Sequence, residues 1–99
     1  MFVLLLSYIR PIEEVDALMR EHVAWLNEHY AAGRFVVSGR RVPRTGGVIV
    51  ARGDDRDEVE RVAASDPFVA AGVATCEVIQ FRASQTADGF DARRPRHDS

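Results

Sequence analysis

The sequence predicts an α+β fold, a ferredoxin-like βαββαβ sandwich with a four-stranded antiparallel sheet and two helices on one face. Three observations lead to this prediction. The chain has 99 residues, which is the size of one domain. Segments with strand-like and helix-like apolar periods follow one another in the order β-α-β-β-α-β. The first strand is apolar on both faces, so both sides of the sheet need a cover.

The first strand and the first helix occupy residues 2–32. Residues 2–9 are rich in strand formers, and Pro11 ends that strand. From Ile12 to Ala32 the apolar residues recur with helical spacing, which predicts one long amphipathic helix. Gly33 follows at the position where glycine commonly ends a helix.

A hairpin and a second helix come next. Strands are predicted over 34–41 and 48–51, joined by a loop that contains Pro43 and Gly46-Gly47. Asp54 or Asp55 is placed to cap the second helix.

The Asp66-Pro67 pair ends that helix, because a residue before proline avoids the helical conformation. Asp66 to Gly72 has the pattern of an N-cap, a proline at the first helical position, one turn and a C-terminal glycine. Residues 73–81 form the fourth predicted strand. Residues 83–99 have no period and are expected to be a disordered tail, which leaves a domain over 1–82.

The first strand also predicts an oligomer. Two helices cover one face of the sheet, yet apolar side chains of this strand point to both faces: Phe2, Leu4, Leu6 and Tyr8 to one, and Val3, Leu5 and Ile9 to the other. An uncovered second face would be a large exposed apolar patch. We therefore expect a homodimer or a higher oligomer, in which two sheets pack face to face into an α+β barrel.

Composition excludes several kinds of chemistry. The 13 basic residues are all arginine, so a lysine Schiff base and a lysine-dependent phosphate loop are excluded. One cysteine, Cys76, allows no internal disulfide and fits a cytoplasmic protein. His22 and His29 are seven residues apart, or about 10 Å along a helix, which is too far to share a zinc ion. We expect no metal and no organic cofactor.

Nucleic-acid and membrane partners are also unexpected. The net charge of −2 gives no general affinity for anionic polymers or lipids. RNA-recognition modules share this element order, but they carry aromatic residues on the third strand, and Val48 to Ala51 has none. The first apolar run is too short to span a bilayer and lacks the basic residues of a signal peptide.

Two residues stand out as candidates for chemistry. His22 is an ionisable ring on the apolar face of the first helix, where it is either a hydrogen-bonded core histidine or a functional group. Asp66 is either a plain helix cap or part of a site. Trp25 is more typical of the core or an interface. Ser38 and Arg40 either bind an anion at a loop or belong to a stretch that ends in a solvated charge pair, Arg40-Arg41, and the solvated pair is the commoner arrangement.

The residues together resemble the YciI-like (YCII-related) family over roughly residues 2–82. The resemblance rests on these motifs: His22-x-x-Trp25-Leu26, Gly33-Arg34, Ser38-Gly39, Gly46-Gly47 and Asp66-Pro67-Phe68-Val-Ala-Ala-Gly72-Val73. It implies a dimeric α+β barrel, in agreement with the argument from the first strand. It also implies that His22 and Asp66 form a catalytic pair. We expect Ser38, Arg40 and Trp25 as second-tier contacts that bind the substrate.

Two departures from the family pattern affect the expected ligand. Members commonly carry arginine three residues before the histidine, where this chain has Met19, and proline after the Ser-Gly pair, where it has Arg40. If the family arginine holds a substrate anion, this protein either binds a different ligand or uses Arg40 instead.

A histidine with an aspartate on its ring can take and return a proton near neutral pH. We expect a cofactor-free lyase or isomerase that acts on a small cyclic or aromatic acid, enol or phenol, because one branch of the family resembles a dehydrochlorinase of chlorinated hydroxyquinols. Two alternatives remain open: a dimer that binds a small organic ligand without turnover, and an interaction module of a regulatory assembly.

Overall fold

The computed structural model describes residues 1–90 of the chain. Within them the element order is β1 (Phe2–Tyr8), α1 (Ile12–Asp16), α2 (Met19–Ala31), β2 (Phe35–Arg40), β3 (Gly46–Ala51), α3 (Arg56–Ala64), α4 (Pro67–Ala70) and β4 (Ala74–Gln80). With α1–α2 and α3–α4 counted as two interrupted helices, this is the predicted βαββαβ order.

The four strands form one antiparallel sheet in the order β2-β3-β1-β4. Strand β1 lies in the interior and pairs along its length with both β3 and β4. In this register Leu4 lies opposite Ile49 on one side and Val78 on the other. The ferredoxin-like fold is therefore confirmed.

The hydrophobic core lies between one face of the sheet and the helices. Phe2, Leu4 and Leu6 alternate along β1 and are almost completely buried, as expected for side chains that point to one face of a strand. Each such buried side chain stabilises the fold by about 1.5–3 kcal/mol. The helices contribute Val15, Trp25, Val59, Ala63 and Phe68 to the same core.

The prediction of one helix over 12–32 is wrong at one point. Leu18 has φ −107° and ψ 5°, outside the α-helical region, and its amide bonds to the carbonyl of Val15, three residues back. The chain thus turns between α1 and α2. Sequence periodicity missed this break, because the apolar residues continue with helical spacing on both sides of it.

The predicted ends of the helices are confirmed. The carboxylate of Asp55 accepts a hydrogen bond from the amide of Glu58 and caps α3. Asp66 caps α4, and Gly33 and Gly72 take positive φ angles of 77° and 74° just beyond α2 and α4. These glycines set the direction in which β2 and β4 leave the helices.

The other face of the sheet carries a set of aliphatic side chains, which we call the outer face. Four of its members are half-buried and two are exposed in the single chain: Val3, Leu5, Val48 and Val50, and Val37 and Ile79. The pairing aligns Val50 with Val3 on β1 and with Val37 on β2, so these side chains form a continuous apolar surface.

Two further predictions concern the end of the chain and the membrane. Residues 82–90 contain no helix or strand, while residues 91–99 of the expected tail lie outside the described residues. Among residues 1–90 no helix is both long enough and apolar enough to cross a bilayer.

Candidate active site

His22 and Asp66 lie side by side. His22 is one turn into α2, and Asp66 is the residue before α4, so the packing of these two helices brings them together. His22 Nδ1 and Asp66 Oδ1 are 2.8 Å apart. The side chain of Asp66 is 1% exposed and that of His22 is 13% exposed, so the pair is largely removed from bulk water.

Asp66 is a helix cap and a partner of His22 at the same time. Its Oδ1 also accepts a hydrogen bond from the Phe68 amide at 3.0 Å, which is the capping interaction of α4. The two interpretations of Asp66 from the sequence are therefore compatible. Its second oxygen, Oδ2, is buried and has no hydrogen-bond partner among residues 1–90.

This hydrogen bond fixes the tautomer of the neutral His22 ring. An ionised carboxylate only accepts hydrogen bonds, so Nδ1 must carry the proton and donate it to Asp66. The lone pair of the neutral ring then resides on Nε2. His22 lines a cavity from which Asp66 is absent, and Nε2 is the ring nitrogen left to act there as a base.

Two aromatic rings flank His22. Phe68 stacks on the imidazole with ring centroids 4.0 Å apart and an angle of 11° between the planes. Trp25 lies at 5.7 Å and 30°. A protonated imidazole is favoured by an aromatic face. The stacking also holds the ring in one orientation.

The cavity has a volume of about 280 Å³ and lies between α2 and the sheet. Its wall is largely apolar, with glycines along the hairpin and a few polar groups. The lining residues are Leu6, Tyr8, Met19, His22, Val23, Leu26, Ser38, Gly39, Arg40, Gly46, Gly47, Val48, Ile49 and Phe68.

Of the three substrate contacts predicted from the sequence, two line the cavity and one does not. Ser38 and Arg40 line the cavity with His22. Trp25 does not line it, because its indole nitrogen donates a hydrogen bond to Ser65 Oγ at 2.9 Å and its ring is buried in the core. Trp25 thus packs against His22 from the core and does not face the cavity.

The two polar residues on β2 differ in their surroundings. Ser38 Oγ lies 2.6 Å from the hydroxyl of Tyr30, which holds it in place. Arg40 is exposed, and no acceptor for its guanidinium occurs in the described part of the chain. Arg40 is the one cationic side chain among the residues that line the cavity.

Sequence reasoning missed Tyr8 as a cavity residue. It is the last residue of β1 and belongs to the same alternating row as Leu4 and Leu6. The alternation of this row predicts that Tyr8 points to the same side of the sheet as the core. A residue with a polar hydroxyl at the end of an otherwise apolar row was the signal that could have identified it. Met19 also lines the cavity, at the position where family members commonly have arginine.

Two other titratable groups lie near this site but do not line the cavity. His29 packs against Trp25 and Phe35, and burial, followed by the charge of Arg34, lowers its pKa. Burial, followed by the charge of Asp66, raises the pKa of the Cys76 thiol to about 11, which keeps it protonated. Within residues 1–90 no group of three or more His, Cys, Asp or Glu side chains is arranged to hold a metal ion.

Comparison with known proteins agrees with the motifs and the fold. Residues 1–82 match the model of the YCII-related domain. The chain belongs to the YCII-related family. No curated protein sequence matches this YCII-related protein significantly.

A solved structure shares its fold. It is 5-chloro-2-hydroxyhydroquinone dehydrochlorinase (TftG) from Burkholderia phenoliruptrix AC1100, in complex with 2,5-dihydroxybenzoquinone. The two chains are 22% identical and superpose with a TM-score of 0.68, over 83% of the YCII-related protein and 94% of TftG. At this identity the likeness concerns the fold.

Proposed function

We propose that this YCII-related protein is a cofactor-free acid–base catalyst, with His22 as the base and Asp66 as its positioning partner. The observation that carries the proposal is the 2.8 Å contact between His22 Nδ1 and Asp66 Oδ1 at the wall of a cavity. In the neutral ring this contact leaves Nε2 without a proton, and an unprotonated ring nitrogen is what a general base requires.

The proposed reaction begins with transfer of a substrate proton to Nε2. The imidazolium that forms is stabilised by the Asp66 carboxylate and by the face of Phe68. The electron pair left on the substrate either expels a leaving group as an anion, which is elimination, or accepts the proton back at another position, which is isomerisation. In elimination His22 releases its proton to solvent and the neutral ring is restored.

The cavity supports a ring-sized ligand with an acidic oxygen. Its volume of about 280 Å³ lies at the small end of ligand pockets, and aromatic and aliphatic side chains form most of its wall. Arg40 and Ser38 supply a charge and a hydroxyl that suit a carboxylate or phenolate. TftG was solved with 2,5-dihydroxybenzoquinone, a ligand of this chemical class.

We further propose that the protein is a cytoplasmic homodimer. Support for the dimer comes from the outer face, where Val3, Val37 and Val50 are aligned by the pairing of three neighbouring strands. Packing this surface against a second copy removes apolar area from water, which drives stable association. Support for the compartment comes from the free thiol of Cys76.

The test is a thermal-shift screen of small ring acids and phenols, with 2,5-dihydroxybenzoquinone as the first probe, followed by a turnover assay for each ligand found. Ligands that stabilise the wild type should lose their effect in His22→Asn. The matched control is His29→Asn, the same substitution on the same helix but outside the cavity, which should keep the ligand response.

The outcomes separate the proposed enzyme from its alternatives. Turnover that disappears in His22→Asn supports acid–base catalysis. A ligand response without turnover of any ligand favours a binding protein. Equal ligand responses in His22→Asn and the wild type would overturn the assignment of His22.

A further inference from the structure

Tyr8 shares a wall of the cavity with His22. Both rings pack on Phe68: Tyr8 meets it edge-on at 5.9 Å and 87°, whereas His22 stacks on it at 4.0 Å. Phe68 thus places the phenol of Tyr8 and the imidazole of His22 around one ring-sized space. A ligand that reaches His22 Nε2 also reaches the neighbourhood of Tyr8.

Arg44 stands behind Tyr8. Its Cζ atom lies 6.0 Å from the centroid of the Tyr8 ring, and its Nη2 donates to Asp16 Oδ1 at 2.6 Å. The Arg44 Nε atom is buried and has no acceptor within residues 1–90. Asp16 therefore accepts a hydrogen bond from Nη2, while Nε has no acceptor among these residues.

The ring of Tyr8 thus lies near the positive charge of Arg44. The hydrogen bond to Asp16 is the main cause that raises the pKa of Arg44, and a weaker contribution comes from the hydroxyl of Tyr8. Arginine only donates hydrogen bonds, so Arg44 cannot accept the proton of the Tyr8 hydroxyl. No carbonyl or carboxylate of residues 1–90 accepts that proton.

We propose that Tyr8, polarised by Arg44, is the residue that binds a negatively charged oxygen of the ring ligand while His22 handles the proton. This inference rests on the proposed function and narrows its ligands to phenolates, enolates and hydroxyquinones. A positive charge near a phenol makes the phenol a stronger hydrogen-bond donor, and hydrogen bonds to charged acceptors are the strong ones. Packing alone needs no hydroxyl, since phenylalanine would make the same edge contact with Phe68.

The proposed reaction needs a group that takes the proton and a group that stabilises the negative charge left on the ligand. His22 and Tyr8 line the same cavity and would fill these two roles. Groups that stabilise a developing oxyanion work best when they are oriented before the reaction, and Phe68, Arg44 and Asp16 hold Tyr8 in this way. Arg40 remains available for a second oxygen of the same ligand.

The experiment measures binding of 4-nitrophenol to the full chain, followed by its absorbance during a pH titration, because the neutral and ionised forms differ in colour. In the wild type the ionised form should bind more tightly, which lowers the pH at which the bound ligand ionises. Tyr8→Phe should weaken binding of the ionised form roughly tenfold or more and leave that of the neutral form nearly unchanged. The ionisation of the bound ligand should then shift upward by about one pH unit.

Arg44→Gln should shift the titration in the same direction. Its matched control is Arg10→Gln, which removes an exposed arginine that also pairs with a carboxylate but does not line the cavity. The control should titrate like the wild type, and melting temperatures verify that every variant is folded.

An unchanged titration in Tyr8→Phe, with 4-nitrophenol still bound, would overturn the role of Tyr8. The proposed function would survive that result, because it is judged separately by the loss of ligand response in His22→Asn. If neither form of 4-nitrophenol binds the wild type, the phenolate class is wrong and the assignment of Tyr8 fails with it.

Discussion

Oδ1 of Asp66 accepts hydrogen bonds from His22 Nδ1 and from the amide of Phe68, at 2.8 and 3.0 Å. One atom therefore caps α4 and fixes the imidazole of α2. The aspartate cannot rotate away from His22 without uncapping the helix, so the folded chain holds the pair in one arrangement before any ligand arrives. Such preorganisation is a main source of catalytic power in proton transfer.

Replacement of Asp66 by asparagine should remove the negative charge beside His22 and keep the cap of α4. Asparagine is a good N-cap, so Asp66→Asn should melt within a few degrees of the wild type. The imidazolium of His22 loses its counter-charge, and turnover of the substrate found in the screen should fall roughly 10²- to 10⁴-fold. The measurement is kcat for each protein, with Asp55→Asn as control, because Asp55 caps α3 in the same way but lies away from the cavity. Full turnover in Asp66→Asn would leave Asp66 as a helix cap alone.

A charge in the middle of the outer face should break the proposed dimer. Light scattering of the wild type should give twice the chain mass of 11.0 kDa, and Val50→Glu should give a monomer because its carboxylate would be buried between the sheets. Val42→Glu is the control. Val42 is 97% exposed in the hairpin loop, so this variant should stay dimeric. A wild-type particle of 11.0 kDa at micromolar concentration contradicts the proposal.

His29 should make stability depend on pH. Its pKa is lowered in the folded chain, so the unfolded chain binds a proton first as the pH falls through the ordinary value of 6.5. The free energy of unfolding should thus be higher above pH 6.5 and decrease below it. Urea unfolding at neutral and mildly acidic pH should show a smaller decrease for His29→Gln than for the wild type. Equal decreases would mean that other groups cause the effect.

Gly46 should tolerate no side chain. A Cβ atom there would overlap the backbone carbonyl of Leu6 on the neighbouring strand, so β1 and β3 would have to move apart. We expect Gly46→Ala to lower the free energy of unfolding by about 2 kcal/mol or more. At Gly39 a Cβ atom meets nothing within 4 Å, and Gly39→Ala should change stability by less than about 0.5 kcal/mol. Chemical denaturation of the two variants gives the comparison.

The segment after the family domain should be dispensable for folding. Residues 82–90 form no helix or strand, and Phe90 is the only large apolar residue beyond Phe81. Removal of residues 85–99 should therefore change the melting temperature little and leave the oligomeric state as it is. A decrease of many degrees would indicate that Phe90 packs on the domain.

The fold could be predicted because local signals agreed with one another. The two-sided apolar strand, the caps at Asp55 and Asp66 and the glycines at 33 and 72 each fixed one element or one boundary. The break at Leu18 could not be predicted, since it depends on how α1 and α2 pack on the sheet rather than on the period of their residues.

The site was only partly predictable. The residues of the pair could be named from the motifs, but their contact depends on the packing of α2 against α4. Trp25 belongs to the motif around His22 and was expected to contact the ligand, yet its indole turns toward Ser65 and its ring lies in the core, the position that its residue type alone favoured. Tyr8 was missed because tyrosine is a common strand former, and only the cavity distinguishes it from the core residues beside it.

The double use of Asp66 Oδ1 makes the Phe68 amide proton a reporter on the site. Its hydrogen bond ends on the same oxygen as that of His22, so its NMR chemical shift and its exchange with deuterium respond to the charge shared by the pair. Ionisation of His22, arrival of a ligand and loss of the carboxylate can each be followed at this one backbone position, without a substrate and without any label on the histidine.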